Sequence, residues 1–322
     1  MKPALKISAR TVFKTPSGFK KMKYCDLQVN GAFGVDFNSE DLTLDQFRFA
    51  CNQLVQIGVT DFLPTIITDS IPEMCRRISK IAQWVESNSD LQSCVRGIHV
   101  EGPFLSNVPG FYGTHPPQHI QSASEENAMR LIEAGRGRVK ILTLAPEQDS
   151  DGIVTQRVRA EGVMVFAGHT NASYDQLRKS IDFGLVGFTH LGNGCVHQVD
   201  RQDNIMQRVL ALQEHLFVTF IADGVHLPGW LLSSWVRIFG PDRSIIISDS
   251  MSAAGMPPGE YSIGGQPILV DAQRRTKHRH HGYLAGSAST MADMDAWLPN
   301  AVNMDDTTRA KVLFSNAYEL LK

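Results

Sequence analysis

The chain has 322 residues, 43% hydrophobic and 20% charged, with 31 basic against 33 acidic side chains and a formal net charge of −2. That balance gives no general attraction to nucleic acid or anionic membrane, and no apolar run approaches the ~20 residues of a membrane span. Five cysteines (Cys25, Cys51, Cys75, Cys94, Cys195) are odd in number and lack CxxC spacing, which argues against a disulfide framework or a cysteine zinc site and for a reducing cytoplasm.

Residues 1–23 carry many Lys and Arg and no acid. They read as an N-terminal arm, with KISARTVFK either a remnant strand or solvated chain. No apolar h-region marks a secretory signal. From residue 24 to 322 the pattern becomes regular. YCDLQVN is a first strand, closed by Gly31. LTLDQFRFACNQLVQIG is a helix, with Phe47, Ala50, Leu54 and Ile57 at three- and four-residue spacing and Gly58 as its stop. VTDFLPTI is a second strand and IPEMCRRISKIAQWVES a helix with Pro in its first turn.

SCVRGIHV is the third strand. The Pro- and Gly-rich loop from Glu101 to His119 is long, which is common where a loop has a function. ASEENAMRLIEAGRG, VKILTLAP, GIVTQRVRAEG and VMVFAGH continue the alternation of helix and strand. SYDQLRKSIDFG, VGFTHL, DNIMQRVLALQEH, FVTFIAD, LPGWLLSSWVRIFG and SIIISD complete it. Eight short apolar strands separated by helices are the signature of a (β/α)8 TIM-type barrel. A doubly wound sheet is the alternative, but no GxGxxG follows the first strand. A small hairpin insertion is expected near 259–283, turning at Gly264–Gly265, with KHRHHG (Lys277–Gly282) as its exposed connection. SASTMADMDAWL and DDTTRAKVLFSNAYELL are closing helices.

In such a barrel, catalytic residues sit at the C-terminal ends of the strands. Glu101, His169, His190, Asp223 and Asp249 are the first polar side chains after the third, fifth, sixth, seventh and eighth apolar runs, and His226 follows Asp223. One such residue alone is read more simply as a cap. Five in phase around one mouth point to a site. A carboxylate and two neutral imidazoles form a three-ligand set suited to Zn²⁺ or a similar divalent ion with an open position. Such an ion lowers the pKa of bound water toward about 7, and Asp249 is placed to take its proton. His115, on the loop after Glu101, is a candidate to polarise a carbonyl. This is the layout of a metal-assisted hydrolase of an amide, ester or related bond. Beyond His190, a turn at Asn193 and Gly194 exposes backbone N–H groups that can hold an anion, and Arg201 offers a guanidinium fork for phosphate or carboxylate.

The motifs HVEGPF, GTHPP, AGHTNAS, FTHLGN, IADGVH, IISDSMSAAG and GYLAGSASTM, in this order, resemble N-acetylglucosamine-6-phosphate deacetylases of the amidohydrolase superfamily. The resemblance runs from about Asp26 to about Ala317. It implies that Glu101, His169 and His190 hold metal, that Asp249 is the catalytic carboxylate, and that His115 touches the acetamide carbonyl. It also implies that Asn193, Gly194, Arg201, His226, Leu284, Ala285 and Gly286 contact the sugar phosphate, that the products are acetate and an amino-sugar phosphate, and that the enzyme is a homodimer. Where many amidohydrolases carry HxH, the first strand has Gln28 and Asn30, so one divalent ion per chain is expected, zinc first and Fe, Co, Mn or Ni as alternatives.

Three departures from the family pattern stand out. Only about two dozen residues precede the first strand, so the family's accessory β-sandwich is expected to be absent or vestigial. Lys23, Tyr24 and Cys25 replace its proline–glycine approach. HLGNGC and RQDN replace HLxNAM and REPG. The competing functions are an amidohydrolase for an unphosphorylated N-acyl sugar or N-acyl amino acid, and a non-catalytic binding barrel.

Overall fold

The computed structural model describes residues 22–279 and 283–322. The expected arm, apart from its last two residues, and the end of the histidine-rich connection lie outside them. The core is a ring of eight parallel strands: β1 (Tyr24–Val29), β2 (Val59–Ile67), β3 (Ile98–Glu101), β4 (Val139–Leu144), β5 (Met164–Ala167), β6 (Leu185–Phe188), β7 (Phe217–Ile221) and β8 (Ser244–Ile247). Each is hydrogen-bonded to the next in sequence. Most strand residues are fully buried, as expected where side chains pack inward on one face and against helices on the other.

The helices follow their sequence signals. Helix α1 (Leu44–Gln56) starts at a Thr43–Gln46 capping box and buries Phe47, Ala50, Cys51 and Leu54. Helix α2 (Ile71–Ser87) starts from Ser70 and buries Met74, Ile78, Ile81 and Val85. Two helices differ from the sequence expectation. The helix expected through His215 spans only Ile205–Leu210, because the chain then turns to bring Leu212 and Leu216 into the core. The closing helix contains a π-helical turn at Lys311–Ser315 between two α-helical segments.

Where β1 meets β8, side chains complete the closure. Val29 and Ser250 form one parallel bridge, and Asn30 N donates to Ser250 O at 2.8 Å. The buried Asp26 carboxylate accepts from Ser248 N (3.1 Å) and Ser248 Oγ (2.5 Å). Beyond β8, β9 (Gly259–Ile263) and β10 (Gln266–Val270) pair antiparallel as the expected hairpin, but β11 (Thr276–His278) adds a third strand, so Lys277 and the buried His278 are paired rather than part of an exposed connection. Ile263, Ile268 and Val270 of this sheet pack with Ile67, Met251 and Ala285. Gln266 Nε2 donates to Thr114 O at 2.7 Å, tethering the loop that carries His115.

Candidate active site

The strand ends converge on a cavity of about 440 Å³ lined by Asn30, Glu101, His115, His169, His190 and Asp249, together with Asn193, Gly194, His226, Leu284 and Gly286. Arg201 and Ala285 are not among its lining residues. Arg201 is exposed, and its carbonyl accepts from Gln207 Nε2 at 3.0 Å. Ala285 is buried behind the wall.

Glu101 is the centre of the constellation. Its Oε1 lies 3.0 Å from His190 Nε2 and 3.4 Å from His169 Nε2, and its Oε2 lies 3.8 Å from His115 Nε2. The imidazoles stand in a row, with ring centroids 4.4 Å apart for His115–His169 and 4.8 Å for His169–His190. Ligands about 2.0–2.1 Å from a tetrahedral ion stand about 3.3 Å from one another, and the Glu101 separations bracket that value. Ligand atoms of Glu101, His115 and His169 all lie within 4.8 Å of one another. That cluster suits a divalent ion, but it takes His115 in place of the expected His190, which meets it at Glu101 Oε1.

The second layer agrees for His169. Its Nδ1 donates to Phe111 O at 2.9 Å, which leaves the Nε2 lone pair facing Glu101. His190 differs: its Nδ1 is buried with no hydrogen-bond partner among the described residues. Burial opposes ionisation of Glu101, but the imidazoles of His169, His190 and His115 crowded around it outweigh it and hold the carboxyl well below the usual range.

The backbone is bent to present these groups. His169, His190 and Asp249 have φ of +50°, +36° and +46°, a left-handed region that costs a non-glycine residue energy and recurs at functional sites. Gly102 has φ +86°, and a Cβ there would stand 2.1 Å from Thr68 Oγ1. The glycine after Glu101 is thus required by both conformation and space.

Asp249 accepts from Asn30 Nδ2 (2.7 Å) and Gln28 Nε2 (3.1 Å), and Gln28 Nε2 also donates to Glu101 (3.0 Å). Burial is the main force raising the Asp249 carboxyl, to about 6. His115 is pushed down to about 3, chiefly by burial and then by His169, and its Nδ1 lies 2.8 Å from Thr68 Oγ1. Thr68 was missed in the sequence, although it is the first polar side chain past the apolar end of β2, the rule that found the other site residues. His99 is buried between Leu27 O (3.0 Å) and Thr143 Oγ1 (2.8 Å), in keeping with a packing residue of the barrel.

No family model matches the chain. Over 310 residues it is 31% identical to the N-acetylgalactosamine-6-phosphate deacetylase of Shewanella sp. (strain ANA-3), covering 94% of this chain and 76% of that protein. The chain belongs to the N-acetylglucosamine-6-phosphate deacetylase family. The Bacillus subtilis (strain 168) N-acetylglucosamine-6-phosphate deacetylase is 29% identical over 92% of this chain and 74% of its own length. Among solved structures, the Mycobacterium smegmatis N-acetyl-D-glucosamine-6-phosphate deacetylase in complex with N-acetyl-D-glucosamine-6-phosphate superposes with a TM-score of 0.84. It is 26% identical, over 96% of this chain and 81% of that one. The Thermotoga maritima enzyme gives 0.83 at 25% identity, over 97% and 81%. The fold match agrees with the barrel expected from the strand count. No helix among the described residues is long and apolar enough to cross a membrane.

Proposed function

We propose that this deacetylase hydrolyses the acetamide of N-acetylglucosamine 6-phosphate to acetate and the amino-sugar phosphate, with Glu101, His169 and His190 holding one divalent ion, zinc first among the candidates. The observation that carries the reading is the meeting of this ligand set with Asp249 at one barrel mouth, in a chain of this family. A divalent ion held there supplies Lewis acidity and lowers the pKa of the water it binds.

The chain's own groups do the rest. Asp249, oriented by Asn30 and Gln28, takes a proton from the attacking water and returns it to the amide nitrogen as the C–N bond breaks. His115 is the donor toward the acetamide oxygen. Thr68 Oγ1 has one hydrogen and two neighbours, His115 Nδ1 at 2.8 Å and Glu101 O at 3.2 Å. The role needs the His115 proton on Nε2, which requires the Thr68 hydroxyl to turn its hydrogen from Glu101 O to His115 Nδ1. Asn193, Gly194, His226, Leu284 and Gly286 line the same cavity and are assigned the sugar phosphate. Arg201, outside the lining, is assigned no contact.

The test is acetate release by the purified, metal-loaded protein from N-acetylglucosamine 6-phosphate, its galactosamine epimer and unphosphorylated N-acetylglucosamine. Preference for a phosphorylated sugar supports the reading. Equal rates with the free sugar point to the unphosphorylated alternative, and no release from any of the three overturns the enzyme assignment.

A further inference from the structure

Asp223 has no part in the chemistry above, yet its carboxylate is the meeting point of two strand ends. Its Oδ1 accepts from the backbone N–H of Val225 and His226, both at 2.9 Å. Its Oδ2 accepts from His226 Nδ1 at 2.7 Å and from Ser287 Oγ at 2.8 Å. Only 2% of its side chain is exposed. Burial works against ionisation, but the His226 contacts outweigh it and bring the carboxyl down to about 2. An ionised carboxylate can only accept, so His226 carries its proton on Nδ1 and has Nε2 left for the cavity it lines.

The second arm runs through Ser287. Its N–H donates to Asp249 O at 2.8 Å, and its carbonyl accepts from Met251 N at 3.0 Å. Ser287 thus holds the backbone at Asp249 and two residues beyond it, while its hydroxyl is anchored on Asp223. We propose that Asp223 is a positioning residue: it fixes the ring of His226 with Nε2 toward the substrate, and through Ser287 it steadies the strand end that presents Asp249. This rests on the deacetylase reading for its kinetic readout.

The two arms separate in steady-state kinetics of acetate release by the metal-loaded enzyme. His226→Gln is expected to raise KM about tenfold with kcat within about twofold. Asp223→Asn reproduces that KM rise, and the double variant is no worse in KM than either single, because both remove the same orientation. Ser287→Ala lowers kcat more than KM. Additive KM effects, wild-type KM in Asp223→Asn, or wild-type kcat in Ser287→Ala overturns the proposal. Should Asp223→Asn fail to fold, ring ¹⁵N shifts of His226 in the wild-type protein decide: a protonated Nδ1 is expected, and a bare Nδ1 with the proton on Nε2 overturns it. That spectrum is readable even if no substrate is turned over, so failure of the deacetylase reading and of this one are distinguishable.

Discussion

Asn30 Nδ2 donates to Asp249 Oδ1 across 2.7 Å, and Gln28 Nε2 reaches both that oxygen and Glu101. Two side chains that in an HxH strand would be metal ligands here orient the Asp249 carboxylate instead. Elemental analysis of gently purified protein is expected to find about one divalent ion per chain, and His169→Ala is expected to lose it. Two ions per chain would contradict the donor role given to the amides.

Asp249→Asn keeps the shape of the site but cannot take a proton. A loss of about 10²–10⁴ in kcat is expected, the usual share of general acid–base catalysis. KM should change little. Turnover at the wild-type rate would remove Asp249 from the mechanism.

The tautomer of His115 depends on a single hydroxyl. Thr68→Val removes the hydrogen bond to Nδ1 and leaves the ring's preference unset, so kcat should fall about tenfold or more, with Thr68→Ser restoring most of it. A Val variant with unchanged kcat would show that the acetamide oxygen does not depend on this donor.

Asp26 offers a pH signature in stability. Burial, opposed by the Ser248 and Gln28 bonds, raises its carboxyl from 3.8 to about 7. The folded protein then holds a proton that the unfolded chain releases between those values, so this residue's contribution to stability is full below about pH 4 and is lost as pH rises to about 7. The whole span is worth about 4 kcal/mol at most. Asp26→Asn should flatten that part of the stability–pH curve in denaturant titrations; an unchanged slope counts against it.

Arg201 sits outside the cavity wall, so Arg201→Ala is expected to leave KM for the phosphorylated sugar within about twofold, the range for a surface substitution. A tenfold rise in KM specific to the phosphorylated substrate would bring Arg201 back to the substrate.

Much of this architecture was legible because each strand is a continuous apolar run ending in one polar residue. That pattern marks Glu101, His169, His190 and Asp249, and the structure brings them to one mouth. What stayed hidden depends on contacts across the ring. Asp26 reads as one polar residue inside a strand, and only closure shows that it grips Ser248 on the far side of the seam. Thr68 looks like a strand terminus until the loop returns with His115. The third strand of the sheet after β8, Thr276–His278, is three residues long and pairs with a strand rather than a turn, so local pattern gives it no signal. Arg201 is a residue type suited to phosphate, at a matching place in the chain, whose side chain is exposed and does not line the cavity.

The left-handed backbone at His169, His190 and Asp249 has an evolutionary consequence. Each position costs about 1–3 kcal/mol that glycine would avoid, so drift under selection for folding alone would steadily replace all three. A lineage that kept this barrel only as a scaffold should show glycine or asparagine at these points first, before its hydrophobic interior changes. In this chain the strain is gathered at three strand ends that line one cavity.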